Sequence, residues 1–122
     1  MTKTYWRDLK VWEKSHKIVL NIYKATAPFP SEEIYGLTSQ IRRAAVSVPA
    51  NIVEGSARST TKDFVRFLHN SRGSLEELRY HLLLSKDLEF LSPETYEKME
   101  ADCREVSAML NSLITKLEAK AS

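Results

Sequence analysis

Apolar side chains recur at helical spacing in four successive stretches of the chain, without the two-residue alternation of a half-buried strand. The last stretch is the most regular. Tyr96, Met99, Cys103, Val106, Leu110, Leu113 and Leu117 are spaced alternately by three and four residues, which draws a single stripe down one helix face. Phe64, Leu68, Ser71, Leu75, Leu78 and Leu82 keep a similar rhythm in the third stretch, and Ile34, Leu37, Ile41, Ala44 or Ala45, Val48 and Ile52 do so in the second. In the first, Val11, Ile18 and Ile22 begin an arc that continues through Val19, Trp12, Tyr23, Leu9 and Leu20. At 100° per residue this arc spans roughly half the circumference, wider than the ~100° that one core seam requires. Two explanations fit: a second buried contact made by assembly, or a first helix sunk deeply between two neighbours of the same chain. His16 lies on this arc, where a buried, hydrogen-bonded histidine is expected.

The breaks between stretches carry helix punctuation. Pro28-Phe29-Pro30 closes the first helix, since proline disfavours a helical residue before it. Ser31 then offers an N-cap, with Glu32 and Glu33 at the positive end of the helix dipole. Gly55-Ser56-Ala57 marks the end of the second helix, Thr60-Thr61-Lys62-Asp63 a capping box for the third, and Ser92-Pro93-Glu94 a strong start for the fourth. The predicted helices run over about 7–27, 32–57, 61–88 and 93–119. With short connections, sequential helices are antiparallel neighbours, so residues 1–122 are expected to form one all-α, antiparallel up-and-down four-helix bundle. A chain of 122 residues can remove roughly two-thirds of its unfolded surface from water, enough for one self-standing core.

Composition narrows the setting. The amino terminus is polar, no stretch reaches the ~18 apolar residues of a membrane span, and the lone Cys103 cannot form an internal disulfide. A soluble protein of the reducing cytoplasm is expected. The net charge is only +2, yet the charges are unevenly placed. Residues 1–30 hold six Lys/Arg against two Asp/Glu, whereas residues 91–122 hold four against six.

The segment from Leu37 to Arg58 is unusual because Pro49 falls inside a helical pattern. Proline there removes the donor for the Ala45 carbonyl and crowds the preceding turn, so a kink is expected. If the second and third helices pack antiparallel about the turn near 57–60, residues whose numbers sum to about 117 face each other. Ala44 then meets Gly73 in a small-on-small crossing. Arg42 and Arg43 fall near Glu76 and Glu77, either as an ion-paired scaffold or as phosphate contacts. Asn51 is expected to bond backbone near the proline, and Glu54 to pair with Arg58 four residues on.

This segment, with Gln40, Arg42, Arg43, Pro49, Asn51, Glu54 and Gly55, is followed by Gly73-Ser74-Leu75-Glu76-Glu77-Leu78 and preceded by Trp6-Arg7-Asp8-Leu9-Lys10-Val11-Trp12. Together they closely resemble the four-helix-bundle proteins encoded by intervening sequences within 23S ribosomal RNA genes, over nearly the whole chain. The resemblance implies an antiparallel bundle that assembles into a ring, a pentamer in known cases. It also implies kinship with the accessory variability determinant of diversity-generating retroelements, a basic barrel that contacts nucleic acid and a reverse transcriptase.

The sharpest functional candidate is a basic stripe. Arg7, Lys10, Lys14, Lys17 and Lys24 fall within an arc of roughly 100° opposite the apolar side of the first helix. Such spacing suits either an ordinary solvated face or a run of contacts along a phosphate backbone. With three or four cations each neutralising a phosphate, duplex affinity should fall with a log-log salt slope of roughly −3. No base-reading motif accompanies the stripe, so binding would be independent of sequence.

Enzymatic constellations are missing. A bundle di-iron site needs two Glu-x-x-His motifs, and Glu13-Lys14-Ser15-His16 is the one copy present. Cys103 sits on a core seam, and no glycine-rich phosphate loop or dinucleotide fingerprint occurs. The sequence therefore predicts a non-enzymatic, oligomeric bundle without metal or cofactor, binding RNA or DNA through the Arg7–Lys24 stripe. An accessory role beside a nucleic-acid enzyme such as a reverse transcriptase follows from the resemblance. The competing reading is a structural or protein-binding ring that leaves nucleic acid alone.

Overall fold

A computed structural model describes residues 4–121; the outermost ends of the expected 1–122 unit lie outside the described residues. Four helices account for most of the chain: α1 (Lys10–Thr26), α2 (Leu37–Ser56), α3 (Thr61–Asp87) and α4 (Pro93–Ala121). No strand occurs among the described residues.

Local chemistry sets the helix starts. The Thr60 hydroxyl accepts from the Asp63 N–H at 3.1 Å, and the Ser92 hydroxyl accepts from the Thr95 N–H at 3.1 Å. Each satisfies one of the donors that a helix N-terminus leaves free. The second helix departs from expectation. Ser31 opens only a short 3-10 turn, Ser31–Glu33, and its hydroxyl turns aside to the Glu32 carboxylate. The helix begins at Leu37, whose N–H donates to Glu33 Oε1 at 3.1 Å, so a carboxylate four residues back replaces the expected serine cap. Likewise, Arg7 belongs to a separate 3-10 turn, Trp6–Asp8, ahead of α1.

Side-chain contacts run in opposite order along neighbouring helices. Between α2 and α3, Ser47 Oγ meets Ser74 Oγ at 2.8 Å, Ser71 Oγ donates to the Val48 carbonyl at 2.7 Å, and Gly55 lies against Phe64 and Phe67. Between α3 and α4, His69 faces Glu118, Arg72 faces Asn111 and Arg79 faces Glu100. Lys14 joins α1 to Glu105 of α4, and Arg42 joins α2 to Thr26 at the end of α1. One core draws on all four helices and includes Ile22, Ile41, Ile52, Leu68, Leu75, Leu78, Leu82, Val106 and Leu110.

Three packing expectations need correction. The α2–α3 pairing is shifted from the assumed sum of 117: Ser47 opposes Ser74, and a Cβ built on Gly73 meets nothing within 4 Å. Gly73 therefore faces open space, and the close approach occurs at Gly55. There an added Cβ would stand 2.7 Å from Phe67 Cβ and 3.3 Å from the Phe64 carbonyl. On α4 the innermost position of the last turns is Ile114, with Leu113 and Leu117 only partly buried, because the stripe drifts around a straight helix. At the start of the second stretch, Ile34 precedes α2 and is exposed.

Candidate nucleic-acid interface and adjoining groove

The basic stripe is only partly free. Lys14 Nζ lies 3.0 Å from Glu105 Oε1 of α4, and Lys17 Nζ lies 3.6 Å from Glu13 Oε1 one turn back. Asp102 also borders the crevice between Lys14 and α4. The basic first helix and the acidic last helix are neighbours, so part of the stripe is compensated across that boundary. Lys10 and Lys24 are exposed with no acidic partner among the described residues. Arg7 is exposed with its guanidinium over the Trp6 ring, 5.0 Å from the centroid. The five residues are thus not one uniform face: three cations are open and two are paired.

The apolar arc of α1 is divided as well. Val11, Ile18, Val19 and Ile22 are buried, while Leu20 is 51% and Tyr23 45% exposed. His16 is not buried as expected. It lies in solvent, stacked on Trp12 with centroids 5.2 Å apart and planes 6° from parallel. Trp12, His16 and Leu20 form an outward strip, one turn apart, beside the buried seam, with His16 and Leu20 exposed and Trp12 partly buried against the core.

Around Pro49 the described partners are local. Asn51 Nδ2 donates to the Ser47 carbonyl at 2.8 Å and to Ser47 Oγ at 3.0 Å, and Glu54 pairs with Arg58 at 3.2 Å. Gln40 is exposed on α2. The expected ion pairs from Arg42 and Arg43 to Glu76 and Glu77 do not form. Glu76 binds Arg79 at 2.9 Å and Glu77 contacts His81 at 3.2 Å, each within α3. Arg42 instead turns to α1, where its Nε donates to Thr26 Oγ1 at 2.9 Å and its guanidinium stacks on Tyr23 at 4.6 Å. Arg43 is exposed and has no partner among the described residues.

These two arginines border a groove of about 590 Å³ at the start of α2, between Tyr23 and the Ile34–Tyr35 turn. Thr38 lines it with a hydroxyl that is buried and has no hydrogen-bond partner. Sequence reading missed this site because its parts come from the α1 end, a turn and the α2 start. The one available signal was the Arg42-Arg43 pair.

Burial pushes the Cys103 thiol up to about 12, which holds it protonated and un-nucleophilic near neutrality. Its hydrogen bond to Glu100 raises Arg79 further above its ordinary value, against the opposing effect of burial. Among the described residues no group of three or more His, Cys, Asp or Glu is placed to hold a metal ion, and no helix is long and apolar enough to cross a membrane.

Comparison with known proteins gives a family match and likenesses among solved structures. The family described as 23S rRNA-intervening sequence protein matches residues 7–112. A crystal structure from Bacteroides thetaiotaomicron, described as a protein of unknown function from the S23 ribosomal protein family, superposes with a TM-score of 0.79 at 26% sequence identity. The likeness covers 86% of this chain and 95% of that one. No curated protein matches the sequence.

Proposed function

The chain belongs to the 23S rRNA-intervening sequence protein family, and on that footing we propose that it acts as an assembly of identical bundles that binds nucleic acid without reading its sequence. The observation that carries the assembly is the outward strip of α1. Leu20 stands 51% exposed beside Trp12 and His16, apolar surface of the kind that marks an interaction site. A second copy covering that strip removes it from water. A ring of five, as the resemblance implies, satisfies this without an open end.

Nucleic-acid binding rests on Arg7, Lys10 and Lys24, the stripe cations without acidic partners among the described residues. One copy offers a weak field, and assembly repeats it, which raises the effective concentration of phosphate contacts. The role is binding rather than catalysis, in keeping with a lone cysteine locked in the core as a protonated thiol. The competing reading is the same assembly acting as a protein scaffold, favoured by the two lysines already spent on Glu105 and Glu13.

Light scattering on the eluting peak tests assembly: a mass several times 14.0 kDa is expected, and Leu20→Glu should reduce it toward that of one chain. Fluorescence anisotropy with a labelled duplex tests the rest. Binding should weaken with a salt slope of roughly −3 per bound chain and be lost in Arg7→Glu/Lys10→Glu/Lys24→Glu. A monomeric wild type overturns the assembly, and duplex binding untouched by the triple reversal overturns the interface.

A further inference from the structure

The groove at the start of α2 has the chemistry of an anion site. Its lining includes Arg42 and Arg43 and no acidic residue, although acids and bases are nearly balanced over the whole chain. Thr38 and Ser39 belong to the first turn of a 20-residue helix, where backbone N–H groups have no partner within the helix and the dipole favours negative charge. Glu33 takes the Leu37 N–H. The N–H groups of Thr38 and Ser39 have no partner among the described residues.

The second, independent sign is the Thr38 side chain. It is 5% exposed, it lines the groove, and its hydroxyl meets neither donor nor acceptor. A buried hydroxyl left so is destabilising unless something completes it. Threonine in a helix divides between two χ1 rotamers, and rotation moves the hydroxyl out of its buried position. The groove also has an aromatic side. Tyr35 is 95% exposed and Tyr23 is already stacked under Arg42, so one ring is free to receive a flat group and the other is held by a cation.

We propose that this groove binds a phosphate carried by a planar base, with the phosphate at Arg43 and the α2 N-terminus and the base over Tyr35. A volume of about 590 Å³ falls within the range of small-molecule sites, roughly 300–1,000 Å³. Free nucleotides and single strands share this chemistry. Base stacking on an exposed aromatic together with a cation on the backbone is the general mode by which single strands are held. The groove is separate from the α1 cations, so it stands whether or not the duplex interface does.

Isothermal titration calorimetry of the intact protein with AMP, adenosine and a short oligothymidylate tests the assignment. AMP is expected to bind saturably and adenosine about tenfold more weakly or worse, because the charge-assisted bonds are lost. Arg43→Glu and Thr38→Val should each weaken AMP by about tenfold, and Tyr35→Ala should weaken AMP and the oligomer together. Arg43 and Tyr35 are exposed, so those variants fold, and an unchanged assembled mass for Arg43→Glu confirms that the ligand site alone was altered. Equal affinity per phosphate for AMP and oligomer assigns a free nucleotide, and preference for the oligomer assigns a single strand. No saturable heat with either ligand, or equal binding by wild type and Arg43→Glu, overturns the proposal. Binding that appears only in the Leu20→Glu variant overturns it too, since a neighbouring copy then fills the groove.

Discussion

Gly55 and Gly73 lack the same methyl group in opposite surroundings. At Gly55 an added Cβ would press to 2.7 Å against Phe67 Cβ and 3.3 Å against the Phe64 backbone oxygen, so α2 and α3 must separate to admit it. Gly55→Ala is expected to cost about 2 kcal/mol, the scale of overpacking a tight core. At Gly73 nothing stands within 4 Å and the residue lies inside α3. Gly73→Ala should therefore stabilise by about 1 kcal/mol through helix propensity and a less flexible unfolded chain. Urea unfolding of both variants measures the pair, and a neutral Gly55→Ala would show that the crossing has slack. Sequence reading expected a small-on-small crossing of the second and third helices but placed it at the wrong glycine. Pairing two helices by a constant sum depends on where the turn is centred, and a shift of a few residues rotates each partner to a different face. His16 failed for a related reason: a position on an apolar arc is buried only if a neighbour covers that part of the arc, and here only the ring of partly buried Trp12 stacks on it.

At the scale of elements, the four helices were legible because each joins a periodic apolar face to a recognisable start or stop. Thr60 and Ser92 cap as their residue types predict. The end of α3 falls within one residue of the expected position, although its stop uses no glycine. Glu89 adopts φ 65 and closes the helix by bonds from Glu89 N–H to the Lys86 carbonyl and from Phe90 N–H to the Ser85 carbonyl. A left-handed conformation costs a residue with a Cβ about 1–2 kcal/mol, and glycine is the usual occupant of this motif. Glu89→Gly should raise stability by about 1 kcal/mol, read as a melting temperature higher by a few degrees. The α3–α4 contact contains a different kind of constraint. Glu100 is 8% exposed, and its Oε1 accepts from Arg79 Nε at 3.0 Å and Nη2 at 2.6 Å. Arg79→Met leaves that carboxylate buried with only Arg104 at 4.0 Å. A loss of about 3 kcal/mol is expected, and Arg79→Met/Glu100→Leu should recover most of it, because two matched apolar groups replace a broken pair. A double variant no better than the single one would sink that account.

For the whole molecule, the antiparallel order brings charges together that lie far apart in sequence. At the end where α1 and α3 begin, Arg7, Lys10, Arg58, Lys62, Arg66, Lys116 and Lys120 outnumber Asp8, Glu54, Asp63 and Glu118, and at the opposite end Glu32, Glu33, Asp87, Glu89, Glu94 and Glu97 outnumber Lys24, Lys86 and Lys98. Counting charge helix by helix hides this lengthwise polarity, which is why a basic first helix looked like an isolated basic face. Two forces could then join copies: attraction between opposite ends, or burial of the outward strip at Trp12, His16 and Leu20. They respond oppositely to salt. At 1 M the Debye length falls to about 3 Å, which screens contacts between exposed charges but leaves apolar burial intact. The assembled mass should therefore persist from low salt to 1 M while duplex affinity falls steeply, because the first depends on Leu20 and the second on Arg7, Lys10 and Lys24. Dissociation of the assembly in step with the loss of duplex binding would show that charged ends, not the apolar strip, hold the copies together, and Leu20→Glu would then leave the mass unchanged.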